Sequence, residues 1–329
     1  MDEYKANLTL QNLIDRGIFE DLNIQFAGVF ESKKEAGEYE IEVGVYNLDR
    51  VPEGSPYFEM INRFRFKNKT HVTGTSFKKD FPKEPQTINI GDTSRVNGSS
   101  SRTEAYRFAF IGAENFNHCT GTLGAFFKQR NSDRTFFISN WHALTNGEVE
   151  LGSTIIQPRN RDRPLLNDQI GNLYSYYLND HMDVAIGILN EGITIENQDN
   201  MISGFVIPKW GMTLLKQGAG SGNHPKDGTK IISVNCSVRV THPNYPSGEQ
   251  IFHHQIMTED MAAKGDSGSV SVDKSTGQAI GLVCAVNNNK YTVHNPIWMI
   301  FKDKKSSFEI TEGVNKGATM PELNFEKFV

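Results

Sequence analysis

The string Lys264-Gly265-Asp266-Ser267-Gly268-Ser269 places a serine beside glycine in a tight polar turn, and the apolar run Val270–Val272 follows at once. Such a turn can expose a hydroxyl and bring backbone N–H groups together around a substrate oxygen. Acyl transfer by serine needs both features. The hydroxyl is weak until a base takes its proton, and the developing oxyanion needs fixed donors. Taken alone, the string reads equally well as a hairpin turn. Two other residues supply what the chemistry lacks. His142 closes the segment Phe137-Ile138-Ser139-Asn140-Trp141-His142, directly after an apolar strand pattern. An imidazole with an ordinary pKa of about 6.5 can accept and return a proton near neutrality. Asp183 stands just before Val184-Ala185-Ile186, where burial favours a hydrogen-bonded carboxylate, whereas its rival Asp180 belongs to a polar Asn-Asp-His turn.

The other eight histidines, His71, His118, His181, His224, His242, His253, His254 and His294, read as surface or packing residues. His253 and His254 alternate faces if they share a strand, which makes them a poor joint metal site, although one of them could face a cleft. No metal ligand set and no cofactor motif emerges. Cys284 lies in an apolar run and reads as a small core residue. With only three cysteines (Cys119, Cys236 and Cys284), the chain cannot build a disulfide framework, so reduced thiols in a cytoplasmic protein are expected.

These side chains need a framework to hold them. Residues 7–22 show helical spacing in Leu10, Leu13, Ile14 and Ile18, and strand patterns follow at 23–30, 39–48 and around Phe64 and Phe66. Residues 92–103 are polar, rich in Ser and Gly and without periodicity, and read as a linker. Beyond it come short apolar runs at 122–127, 135–139, 153–157, 170–178 and 182–189. A second set follows at 213–216, 230–240, 251–258, 268–272, 279–286 and 291–301. About eleven strands with almost no helix signal predict an all-β sandwich or barrel. Phe108, Phe110, Phe116, Phe126, Phe127, Phe136 and Phe137 read as its core.

Composition excludes several alternatives. The 329 residues are 37% hydrophobic and 22% charged, with 21 Phe and 10 Tyr, which suits a globular chain with a real core rather than a disordered one. The formal charge of −5 offers no basic footprint for nucleic acid. No apolar run is long enough for a membrane helix, and the first twenty residues lack the pattern of a signal peptide.

In chain order the three residues run His142, Asp183, Ser267, the order found in the chymotrypsin arrangement of the serine triad. Residues 103–302 resemble the trypsin/chymotrypsin-like serine proteases. The likeness is to their intracellular bacterial and plant branch, which includes proteins similar to the rice NARROW LEAF protein. Thr120-Gly121-Thr122-Leu123-Gly124-Ala125 resembles the opening barrel strand and Ser139-Asn140-Trp141-His142 the histidine motif. Lys216-Gln217-Gly218-Ala219-Gly220-Ser221-Gly222 resembles the turn opening the second barrel. Ala279–Leu282 and Thr292–Ile297 resemble the last strands. The resemblance implies a double β-barrel over 104–329, preceded by a small α+β region over 1–91 that packs on the first barrel or serves as a regulatory, partner-reading module.

It also implies roles. Ser267 would be the nucleophile, His142 the base and then acid, and Asp183 the residue that orients it. The N–H groups of Gly265 and Ser267 would form the oxyanion hole. Met261 falls where trypsin has its specificity aspartate, so a small or medium apolar side chain before the scissile bond is expected rather than Lys or Arg. Ala143 stands where extracellular members carry a cysteine, and Trp141 where a small or polar residue is usual, so Trp141 is expected to shape the leaving-group side of the cleft. Asp266 would have to be satisfied either by a new terminus cut at Arg95-Val96 or, as expected here, by Lys264 or a backbone donor in the uncut chain. The function so implied is a serine endopeptidase acting on protein. A catalytically silent trypsin-fold binding or scaffold protein is the alternative.

Overall fold

A computed structural model describes residues 1–20, 24–32, 35–45, 69–72, 77–78, 104–106, 110–113, 121–129, 133–145, 150–157, 169–196, 202, 204–223, 225–241, 245, 248–287, 290–301 and 325–328. The expected linker over 92–103, the Arg95-Val96 pair, the strand around Phe64 and Phe66, Cys119, His118, His224 and His242 lie outside these residues, as do Phe108 and Phe116.

The chain is all-β, built on two curled sheets in the manner of the trypsin/chymotrypsin barrels, with a small N-terminal α+β unit. In the first sheet the strand order is Phe325–Phe328, Ala125–Gln129, Thr135–Ser139, Asp183–Leu189, Gln169–Leu178, Thr154–Ile156, Phe110–Ala113, Gly121–Thr122. Gly121–Thr122, at one end of this order, is joined to Ala125–Gln129, near the other end, by Leu123 and Gly124 alone. A sheet whose ends are chain neighbours has to roll up. Phe126, Phe137, Ile155, Ile170 and Leu173 fill its interior.

The second sheet closes fully. Thr213–Gly218 pairs with Val270–Asp273, which leads through Ala279–Asn287, Tyr291–Pro296 and Glu249–Glu259 to Thr229–Thr241. That strand returns to the start through Thr213↔Lys230 and Leu214↔Thr229. Leu214, Ile231, Ile256, Met261 and Ile280 pack together within this barrel. The Asp183–Leu189 and Ala279–Asn287 strands are buried almost throughout, as expected of strands covered on both faces. Between the barrels, Phe127, Ile138, Met182 and Val184 of the first form one apolar cluster with Val270, Leu282, Ile297 and Phe301 of the second.

The N-terminal unit joins the sheet of the second barrel, whereas the packing alternative placed it on the first. The Ile24–Glu31 strand adds antiparallel to Thr229–Thr241 with Phe26↔Val238 and Val29↔Asn235, and Tyr39–Val45 and Lys69–Val72 extend the sheet outward. Helix Glu3–Asp15 covers that extension with Ala6, Leu10 and Leu13, which pack among Ile24, Val29, Ile41 and Val43. The helix begins four residues earlier than its apolar spacing suggests, because the Asp2 carboxylate caps it by accepting from Lys5 N–H at 2.8 Å. Two other expected runs are broken. The 122–127 run splits at Leu123-Gly124, and the 291–301 run ends at Pro296, after which Ile297–Ile300 forms one helical turn.

Candidate active site

His142 lies in the single helical turn Trp141–Leu144, directly after the Thr135–Ser139 strand. Asp183 begins the neighbouring strand, in which Ala185 pairs with Ser139. This register brings the two side chains together. His142 Nδ1 lies 2.8 Å from Asp183 Oδ2, and the His142 backbone N–H donates to Oδ1 at 3.2 Å. When Asp183 is ionised its carboxylate can only accept, which places the ring proton on Nδ1 and leaves the Nε2 lone pair free to act as a base. Asp183 is fully buried, and burial pushes its carboxyl up to about 8 against the backbone N–H groups of His142 and Trp141, which pull it down. The main chain of Asp183 is fixed from both barrels. Asn140 Nδ2 donates to its carbonyl at 2.7 Å, and its N–H donates to Asn295 Oδ1 at 3.1 Å. Asn295 in turn donates to Gln255 Oε1 at 2.7 Å.

Ser267 is partly exposed on the turn that leads into Val270–Asp273 of the second barrel. The Gly121–Thr122 strand of the first barrel rests directly on this turn. Thr122 N–H donates to the Ser267 carbonyl at 2.7 Å, and Thr122 Oγ1 donates to the Gly265 carbonyl at the same distance. A Cβ on Gly121 would meet Ala143 Cβ at 2.5 Å and the Ser267 carbonyl oxygen at 2.6 Å. The absence of a side chain there lets the serine turn and the histidine helix close on the same point. Gly268 is held at φ +92°, a conformation that L side chains rarely adopt. Around the serine, Asp266 N–H donates to Ala263, Gly268 N–H to Val283 and Ser269 N–H to Asp266. The N–H groups of Gly265 and Ser267 find no acceptor among the described residues. Two unengaged donors beside a serine are what an oxyanion requires.

Asp266 is fully buried and is satisfied internally. Lys216 Nζ stands 2.6 Å from its Oδ2, Ser221 Oγ donates to the same oxygen, and Gly220 and Ser221 N–H donate to Oδ1 at 2.9 and 3.0 Å. Ala263 N–H adds a further bond at 2.8 Å. Of the two expected partners, Lys264 or a backbone donor, the backbone donors are present and Lys264 is not: the lysine at the carboxylate is Lys216. Lys264 is exposed. Burial lowers the Lys216 pKa, and the Asp266 charge works against that shift. Lys216 was visible in the sequence only as the residue opening the Gly-rich turn.

Other residues fall differently. Trp141 is 7% exposed and packs in the interior, its ring stacked on Tyr245, so it does not line the leaving-group side of a cleft. The bulk that a cleft reading assigns to the surface is accommodated by the core. Met261 is buried in the apolar cluster of the second barrel, and its N–H donates to Thr292 Oγ1 at 3.0 Å. His253 and His254 form a bulge opposite Ser237, with His254 at φ +57°, and His181 stacks on His254 at 5.2 Å. No group of side chains able to hold a metal occurs among the described residues. His294 is buried between the hydroxyls of Thr258 and Ser271, and burial drives its pKa down to about 3, so it stays neutral. Asp180 is exposed and accepts from Gln250 at 2.8 Å, which leaves Asp183 as the carboxylate beside His142. Cys236 and Cys284 are buried and not joined in a disulfide.

No family model matches the sequence and no curated protein matches it, so the likeness to the rice protein finds no support. Similarity is found among solved structures of serine proteases. The Nocardiopsis protease NAPase aligns at a TM-score of 0.44 and 16% identity, over 60% of this chain and 94% of that one. A glutamic acid-specific serine protease aligns at 0.42 and 15%, over 60% and 95%. The Cellulomonas bogoriensis chymotrypsin aligns at 0.42 and 18%, over 60% and 93%. Identities this low concern the course of the chain and carry neither activity nor specificity. No helix among the described residues is long and apolar enough to cross a membrane.

Proposed function

We propose that this protein is a serine endopeptidase working through an acyl-enzyme, with Ser267 as nucleophile, His142 as general base and acid, and Asp183 as the residue that orients the imidazole. The observation that carries this reading is the buried 2.8 Å bond from His142 to Asp183, beside a serine turn whose Gly265 and Ser267 N–H groups are unengaged. In the proposed reaction Ser267 Oγ attacks the carbonyl carbon of a peptide bond as its proton passes to His142 Nε2. The carbonyl electron pair moves onto oxygen, where the Gly265 and Ser267 N–H groups stabilise it. Collapse expels the amine, which takes the proton from His142 and leaves the acyl group on Ser267. Water, deprotonated by His142, then releases the carboxylic acid and restores the serine.

The Lys216–Asp266 pair supports activity of the uncut chain, since the charge that a new terminus would bring is already in place. Specificity for a small or medium apolar residue before the scissile bond belongs to this reading through the alignment of Met261 with trypsin's specificity aspartate, since a thioether cannot offset the cost of taking an ammonium or guanidinium out of water. The substrate in this reading is a protein, the compartment is the cytoplasm as in the intracellular branch, and the N-terminal unit is available to a regulatory partner. No cofactor is called on. Treatment with a fluorophosphonate is the direct test. Stoichiometric adduct on Ser267, lost in Ser267→Ala, is expected. A folded protein that stays unlabelled would favour a catalytically silent binding or scaffold protein.

A further inference from the structure

Tyr245 belongs to the connection between the Thr229–Thr241 and Glu249–Glu259 strands of the second barrel, yet it is only 3% exposed. Its ring lies against Trp141, with centroids 6.2 Å apart and planes 18° apart, and meets Phe252 edge-on at 6.0 Å. Trp141 in turn packs against Tyr176 of the first barrel at 6.5 Å. The aromatic clamp directs the Tyr245 hydroxyl to Asp183 Oδ2 at 3.3 Å, the same oxygen that takes the His142 ring proton. We propose that Tyr245 is a positioning residue: braced by Trp141, its hydroxyl holds the Asp183 carboxylate in the orientation in which His142 can use it.

The argument starts from the cost of burying an anion. A carboxylate removed from water needs several donors on its lone pairs. Asp183 is wholly buried, and its donors include the backbone N–H groups of Trp141 and His142, the His142 ring and the Tyr245 hydroxyl. The first three come from the helical turn that carries the imidazole to be oriented. The Tyr245 hydroxyl comes from the opposite barrel, so it fixes the carboxylate independently of that turn. At 3.3 Å the bond is longer than the usual O–H···O distance of about 2.7 Å. Such contacts commonly tighten once substrate is bound.

The kinetic arm of the test rests on the protease reading, and the spectroscopic arm does not. In Tyr245→Phe the ring and its stack on Trp141 stay while the hydroxyl goes. Loss of a hydrogen bond to a charged group predicts a fall in kcat of about tenfold with KM within about twofold. The hydroxyl stabilises the anionic Asp183–His142 couple more than its protonated form, so its loss should move the acid limb of the kcat/KM profile to higher pH. The other titratable groups around Asp183 are His181 and Asp180 on its own segment, His253 on Glu249–Glu259, Tyr176 on Gln169–Leu178 and His294 on Tyr291–Pro296. All of them stay in place in the variant, so they supply no shift of their own.

The second arm follows the low-field proton resonance of the His142 Nδ1–H in the Ser267→Ala protein, which needs no turnover. Adding Tyr245→Phe should raise its titration midpoint in the same direction, and Trp141→Leu, which keeps the hydroxyl but removes its brace, should give a smaller shift the same way. An unchanged kcat and an unchanged midpoint in Tyr245→Phe would overturn the proposal. So would a rise in KM and a lower Tm with the midpoint fixed, which is the signature of a merely structural role. A wild-type protein that fails to label at Ser267 but shows the midpoint shift would sink the protease reading and leave the role of Tyr245 standing.

Discussion

At Ser267 the expectation is simple. Ser267→Ala should fold normally and lose on the order of 10⁶ in kcat, with His142→Ala costing about as much, because the pair acts as a unit. Circular dichroism and peptidase assays on the purified variants check both parts. Asp183 adds a pH dependence whose sign is fixed by its burial. The carboxyl is pushed up to about 8, so the couple takes up a proton as pH falls, and the base is lost with it. Activity should therefore climb with pH through neutrality, and a profile that is flat down to pH ~5 would contradict this. For Lys216→Met, breaking one side of a buried ion pair costs about 3–5 kcal/mol and frees the turn that carries the oxyanion donors. Denaturant unfolding and fluorophosphonate labelling should both report the loss. His142, Asp183 and Ser267 are legible in the sequence because each sits at a boundary between an apolar run and a polar turn. Lys216 and Tyr245 are not, since their partners lie 50 and 62 residues away and only the closed barrels bring them together.

Among the elements, Gly121–Thr122 is the one that ties the barrels to the chemistry. Gly121→Ala would push a methyl group into Ala143 Cβ and the Ser267 carbonyl, each within about 2.6 Å of its place. A displacement of the serine turn by a fraction of an ångström to an ångström predicts a loss in kcat of about 10²-fold, with far less effect on Tm. Steady-state kinetics beside thermal melts would show whether the two separate. Strand positions such as Asp183–Leu189 and Ala279–Asn287 were readable because burial on both faces leaves continuous apolar runs. The interruption at Leu123-Gly124 was not. There a Cβ on Gly124 would meet the Gly268 carbonyl at 2.2 Å, a contact with a residue far along the chain. The docking of Ile24–Glu31 onto Thr229–Thr241 was equally hidden, since alternation marks a strand without naming its neighbour.

Over the whole molecule, the N-terminal unit is part of the second barrel's sheet and not a detachable appendage. Removing residues 1–45 would uncover the edge of Thr229–Thr241 that pairs with Ile24–Glu31, together with the buried side chains of Cys236 and Val238 on it. An uncovered apolar edge invites strand pairing between molecules, so the shortened protein should associate or precipitate, as size-exclusion chromatography would show. A monomeric product with an unchanged Tm would refute this. The same pairing also sets a timetable for synthesis. Phe26 leaves the ribosome early, but Val238 follows about 210 residues later, which at roughly 5–20 residues per second leaves Ile24–Glu31 without its neighbour for about 10–40 s. During that interval Tyr39–Val45 can pair with one edge of the strand, while the backbone groups of the edge that faces Thr229–Thr241 lack their partner. The first segment made is among the last to find its place, and chaperone capture of the growing chain matters most in that window.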